Sequence, residues 1–229
     1  MNTQKVRVQM NIEKKDMRII RDPMDIEKRS MQIISGELAS QGIVLPEENR
    51  AVVLRAIHAS ADLEYARNLT FADGAVRSGV DAFRSGRAVI TDTNMALSGL
   101  HKRSLEMYRN PSVCYMADGE VASLAKKLGT TRAEVSMKKA AENYPDGIYA
   151  IGNAPTALLA LADLIEAGLR PSLVIGVPVG FVNVLESKDR ALQVCRAYGV
   201  PYIIAAGRKG GSSIAAAILN AILYQAAGR

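Results

Sequence analysis

The chain has 229 residues, 48% of them apolar, which suits one large α/β domain or two small ones. No apolar run reaches the roughly 18 residues of a membrane span, and residues 1–15 are polar and charged, without the apolar stretch of a secretory leader. The net charge of +6 admits nucleic acid or an acidic small molecule as partner, but aromatics are only 5% with no Trp, which disfavours a base-stacking platform.

The basic residues are scattered; their densest stretch, residues 5–29, is interleaved with Asp and Glu. Cys114 and Cys195 have no partnering pattern, so reduced thiols in a cytoplasmic protein are expected. Zinc lacks support: His58 and His101 are the only histidines, and there is no Cys-x-x-Cys pair.

Taken in chain order, Asp22-Pro23 reads as an N-cap followed by a first helical position. The helix it opens runs to about Leu38 and is expected to bury Ile26, Met31, Ile33 and Ile34. Pro46 opens a second helix with Glu47 and Glu48 in its first turn, carrying Val52, Val53, Ala56 and Ile57 inward. Residues 87–91 predict a strand ending at Asp92, 94–105 a helix, 112–116 a strand and 121–128 a short helix. Thr130 or Thr131 caps a helix through Asn143. Strands at 147–151, 172–177 and 201–206 alternate with helices at 154–167, 185–198 and 214–226. Asn153 reads as the N-cap of the first of these, with Pro155 in its first turn. This alternation implies a three-layer α/β/α fold on a mostly parallel sheet, with the first two helices packed outside it.

In such sheets ligands sit where strands end and helices begin. His58 lies on the second helix, with Arg55 at i−3 and Asp62 at i+4 on one face. Asp62 would orient the imidazole and Arg55 would hold an acidic ligand; a surface ion-pair ladder is the plainer reading. A histidine here suits proton transfer near neutral pH. His101 falls near a helix end, where a positive ring would complement the dipole. The run Gly207-Arg208-Lys209-Gly210-Gly211-Ser212-Ser213 places two cations and backbone amides at a helix N-terminus. That is an anion site, or simply a glycine turn with capping serines. Asp92 and Thr93 either face the crevice or cap the next helix. Glu186-Ser187-Lys188 could pair, cap or grip a ligand, and its spacing does not choose.

Together these segments resemble the precorrin-8X methylmutase family, including its cobalt-precorrin-8 branch. The matching stretches are Ile20-Arg21-Asp22-Pro23 with Ile26-Glu27-Lys28-Arg29-Ser30, Arg55-Ala56-Ile57-His58-Ala59-Ser60, Thr91-Asp92-Thr93-Asn94-Met95 and Gly152-Asn153-Ala154-Pro155-Thr156-Ala157. They continue with Gly176-Val177-Pro178-Val179-Gly180-Phe181-Val182, Glu186-Ser187-Lys188 and Gly207-Arg208-Lys209-Gly210-Gly211-Ser212. They come in the family's order over about residues 19–220. Ile20 and Met31 stand where the family often has aromatics.

The resemblance implies a single methylmutase domain over 1–229, with 1–18 an N-terminal extension. It also implies an isomerase moving a methyl group from C-11 to C-12 of a contracted tetrapyrrole, giving hydrogenobyrinate or cobyrinate by a proton-assisted sigmatropic shift, with no cofactor and no metal held by the enzyme. It makes His58 the proton donor. Ser30 and Arg55 are then expected at the substrate's carboxylates, with Arg208, Lys209 and the amides of Gly210, Gly211 and Ser212 as further anion candidates, and Asp92, Thr93 and Ser187 are expected among the other substrate-binding residues. Asn153, Ala154, Pro155 and Thr156, with Val179, Gly180 and Phe181, would form a wall against the ring. A homodimer is implied, with neither nucleic acid nor membrane as partner. A corrinoid carrier that retains and hands on the product is the alternative, and the retained His58 argues against it.

Overall fold

The computed structural model describes residues 20–228, so residues 1–18, expected as an extension, lie outside the described part. Among the described residues there are eleven α-helices and six strands. The strands are β1 (Leu69–Phe71), β2 (Val89–Thr91), β3 (Ser112–Val113), β4 (Ile148–Ile151), β5 (Leu173–Gly176) and β6 (Tyr202–Ala205). They form one sheet in the order β1-β6-β5-β4-β2-β3. Every pairing is parallel except β1 with β6. The central strands are fully buried and rich in Val and Ile, as a sheet covered on both faces requires.

The parallel part of the sheet starts at β2, after β1 has taken the opposite edge. The chain lays down β2, moves outward to β3, then crosses back to β4 on the other side of β2. The C-terminal ends of β2 and β4 therefore flank a topological switch point, the usual place for a ligand crevice in open α/β sheets.

One face is covered by α4 (Ala75–Arg84), α5 (Asn94–Ser98), α6 (Lys102–Tyr108) and α11 (Ser212–Ala226). Outside α11 lies α2 (Glu47–Ser60), and on α2 lies α1 (Pro23–Ser40). The other face carries α8 (Arg132–Asn143), α9 (Pro155–Glu166) and α10 (Val184–Ala197), with α7 (Gly119–Leu128) against α8. The expected three-layer α/β/α arrangement with the N-terminal helices outside is present.

Several local expectations need correction. Helix α1 begins at Pro23 with Asp22 accepting from the Met24 and Asp25 amides, as read. It buries only Ile34 and Leu38, while Ile26 and Ile33 stay about half exposed and Met31 is partly buried, because α1 touches the protein along a narrow stripe. The helix at 94–105 is two helices, broken at Gly99 and Leu100. The strand at 112–116 is only two residues long and turns into a 3-10 helix at Tyr115–Ala117. The chain between α2 and β2 holds three elements without a sequence expectation: α3 (Tyr65–Asn68), β1 and α4. Strand β1 has little apolar alternation in three residues and pairs antiparallel at the edge. His101 is the N-cap of α6, where a cation would oppose the dipole; its Nδ1 meets Ser104 Oγ at 2.7 Å and its ring edge packs on Tyr224.

Candidate active site

Three loops meet at the C-terminal edge of the sheet, and they meet backbone to backbone. A Cβ on Gly152, after β4, would lie 2.8 Å from the Ser212 Cα. A Cβ on Gly210 would lie 2.0 Å from the Val177 carbonyl oxygen, so only glycine fits there. Gly211 adopts φ +129°, caps α11 and donates its amide to the Val177 carbonyl at 2.9 Å. The Gly180 amide donates to the Arg208 carbonyl, and the Arg208 guanidinium sits 6.0 Å from the Phe181 ring centroid. The 152–154, 177–183 and 207–212 segments thus form one unit. Val179, Phe181, Arg208 and Lys209 are exposed on it, with Phe181 87% accessible.

Asp92 holds the switch point from beneath. It is fully buried, and its carboxylate accepts from the Gly152 amide at 2.8 Å, Asn153 at 2.8 Å and Ala154 at 2.6 Å. Burial pushes its pKa up, while the three amides pull against that. Asn153 therefore does not cap α9. Ala154 holds the cap position, and the first free amides of the turn go to Asp92 from another strand. Thr93 caps α5 by accepting from the Ala96 amide, and its hydroxyl also meets Ser212 Oγ at 2.7 Å. Thr156 Oγ1 accepts from the Thr131 hydroxyl at 3.0 Å.

Lys188 performs a similar task from the other side. It is 2% exposed, and its ammonium donates to the Gly207 carbonyl at 2.7 Å and the Lys209 carbonyl at 2.8 Å. Burial alone pushes its pKa down to about 8. Ser187 beside it is fully buried, with its hydroxyl donating to the Val184 carbonyl.

Lys209 joins this loop unit to α2. Its ammonium lies 2.6 Å from Asp62 and 2.8 Å from Glu64, and this contact holds the Asp62 carboxyl below its ordinary range. Helix α2 ends at Ser60, with Ala61 in the left-handed region, so Asp62 leaves the helical face and does not orient His58. Ser30 on α1 does so instead, its hydroxyl meeting His58 Nδ1 at 2.8 Å. His58 is exposed, and Nε2 has no hydrogen-bond partner among the described residues. One turn away, Arg55 pairs with Glu27 of α1 at 2.5 Å and lies 5.1 Å from the Tyr224 ring centroid. Met24, Glu27, Lys28, Met31, Arg55 and Tyr224 line a cleft of about 650 Å³.

The sequence profile of the family described as precorrin-8X methylmutase matches residues 25–225. The chain belongs to the precorrin-8X methylmutase family. It is 46% identical over 177 residues to the cobalt-precorrin-8 methylmutase of Priestia megaterium, covering 77% of each chain. It is 37% identical over 204 residues to the precorrin-8X methylmutase of Pseudomonas aeruginosa, covering 89% of this chain and 96% of that one. The crystal structure of the Thermus thermophilus precorrin-8X methylmutase superposes with a TM-score of 0.81 at 42% identity, covering 90% of this chain and 97% of that one.

Within this methylmutase fold the residues expected at the substrate fall into two groups. The exposed or half-buried side chains of Ser30, Arg55, His58, Asn153, Ala154, Pro155, Thr156, Val179, Phe181, Arg208 and Lys209 are available at the surface. The side chains of Asp92 and Ser187 are not: each faces inward and spends its oxygens on backbone groups. Ser212 is 9% exposed and engaged with Thr93. Sequence spacing missed Glu27, Glu64 and Tyr224, which pair with cations from distant segments, and it left Lys188 without a role. Among the described residues no group of three His, Cys, Asp or Glu side chains gathers as a metal site.

Two substitutions test the loop supports. Asp92→Asn turns an NH2 group toward amides that need an acceptor, and should cost about 2–3 kcal/mol in urea unfolding. For Lys188 the folded pKa lies below the unfolded 10.5, so the unfolded chain holds more protons between about 8 and 10.5 and stability rises with pH there. The wild-type chain should therefore gain stability relative to Lys188→Met as pH rises through that window. A constant difference would show that the ammonium titrates normally.

Proposed function

We propose that this chain is a precorrin-8X or cobalt-precorrin-8 methylmutase, an isomerase of cobalamin biosynthesis that moves the C-11 methyl group to C-12. The observation that carries this reading, beyond membership of the family, is the arrangement of His58. It is an exposed imidazole, tied by Nδ1 to a hydroxyl, on a helix whose end is pinned to a cationic glycine-rich loop. The substrate class is a flat macrocycle bearing several carboxylates. The positive balance of the chain, Arg55, Arg208 and the amides of Gly210 and Ser212 suit such a polyanion.

In the rearrangement one C–C bond breaks at C-11 and one forms at C-12, so reactant and product are isomers and no oxidant or group donor enters. The residues supply position and one proton. His58 Nε2 donates to the conjugated ring, favouring the tautomer that rearranges, and recovers the proton when conjugation is restored. Ser30 is suited to this cycle because its hydroxyl oxygen can accept from Nδ1–H, which stays protonated while Nε2 gives up and recovers its proton. It follows the ring through both states without moving. Asp92 and Lys188 act at a distance as positioning residues for the loops that contact the ring. Cobalt, where present, belongs to the substrate.

We place the enzyme in the cytoplasm as a homodimer; no described helix is long and apolar enough to cross a membrane. His58→Ala should lower turnover of precorrin-8 at least about a hundredfold, the scale of a lost general acid, while hydrogenobyrinate still binds. Unchanged turnover would remove His58 from the mechanism. A wild-type chain that binds the corrin yet never converts precorrin-8, with or without cobalt, would be a carrier.

A further inference from the structure

Arg55 does not wait empty for a ligand. Its guanidinium holds the Glu27 carboxylate at 2.5 Å on one side and the Tyr224 ring at 5.1 Å on another. Glu27 is about half exposed and stands at the wall of the 650 Å³ cleft, among Met24, Met31 and Tyr224. Glu27 and Ser30 are three residues apart on α1; their partners Arg55 and His58 are three apart on α2. These two polar rungs tie the first half of α1 down. Residues 23–29 are all exposed, and the buried anchors Ile34 and Leu38 come later in the helix.

We propose that Glu27 is an internal stand-in for a carboxylate of the substrate rim: it occupies Arg55 in the free protein and is displaced when the macrocycle enters the cleft. The identity of that ligand rests on the methylmutase reading above. The physical reason is like-charge repulsion. A second carboxylate arriving at a guanidinium already neutralised by Glu27 meets an unfavourable neighbour as well as a favourable one. The exchange conserves ion pairs when the ligand offers a carboxylate at that rim position. It strands Arg55 or Glu27 when the ligand does not. Glu27 thus lowers affinity and sharpens selection for the acid-bearing rim.

Glu27→Gln and Glu27→Ala should each bind hydrogenobyrinate more tightly than wild type, by roughly three- to fivefold, the scale of one exposed ion pair. In an Arg55→Ala background, where binding is weaker from the start, the same changes should give no gain. A purely structural Glu27 predicts the reverse, weaker binding on its removal. Unchanged or weaker binding by both Glu27 variants overturns the proposal. So does an equal gain without Arg55, which would reduce the effect to general repulsion. Titrating the absorbance of the corrin gives each constant directly. If the wild-type chain binds neither the metal-free nor the cobalt corrin, the methylmutase reading itself fails and the proposal goes with it.

Discussion

The Asp92 carboxylate, buried at the switch point of the sheet, is the constraint on which the candidate site depends. Three successive amides of the β4–α9 turn converge on it. A helix start exposes such amides, and in many α/β proteins a bound anion takes them. Here the chain supplies the anion itself, from the residue that follows β2. The crevice that topology would open to a ligand is closed from within, and the exposed surface moves outward to the loops above. Because Gly152 lies against Ser212, the same carboxylate indirectly fixes the start of α11.

A buried acid under one loop is matched by a buried base under another. Among the described residues no carboxylate pairs with Lys188, and an unpaired ammonium is costly to bury. It is tolerated because two carbonyls of the glycine-rich loop turn inward to receive it. That leaves Arg208 and Lys209 projecting outward, and Lys209 reaches Asp62 and Glu64 beyond the end of α2. The line from Lys188 through Lys209 to α2 ties the loop unit to the helix that carries His58. Rigid supports of this kind suit a reaction that changes no atoms and needs a large flat ring held still while one group migrates.

Helix α1 is different in character. It is anchored by Ile34 and Leu38, with Met31 partly buried against the core, and residues 23–30 are tied to α2 by two polar contacts, Glu27 with Arg55 and Ser30 with His58. Weak burial and exchangeable polar contacts make it the part of the site best able to respond to a ligand. The chain thus combines a stiff loop platform at the sheet edge with an adaptable strap across the helix that carries His58.

The alternation of helix and strand, the inward stripe of α2, the cap at Asp22 and a cap at Thr130 or Thr131, which the structure resolves as Thr131, were legible from the sequence, because they depend on local periodicity and on side chains within a few residues of the backbone they serve. So was the gathering of Gly, Pro and small polar residues at strand ends. The three-residue β1 and the helix α4 after it were not legible, since an edge strand that short carries almost no pattern. Partner choice escaped as well. Asp62 lies four residues from His58 yet turns to Lys209, while Ser30, 28 residues away, takes the imidazole. Asp92 and Ser187 are expected as ligand contacts from the family resemblance, their own spacing leaving other roles open, and packing turns both inward. Sequence fixes which residues share a helix face; the register of one helix on another, and which side of a loop faces water, are set by the three-dimensional packing of segments far apart in the chain.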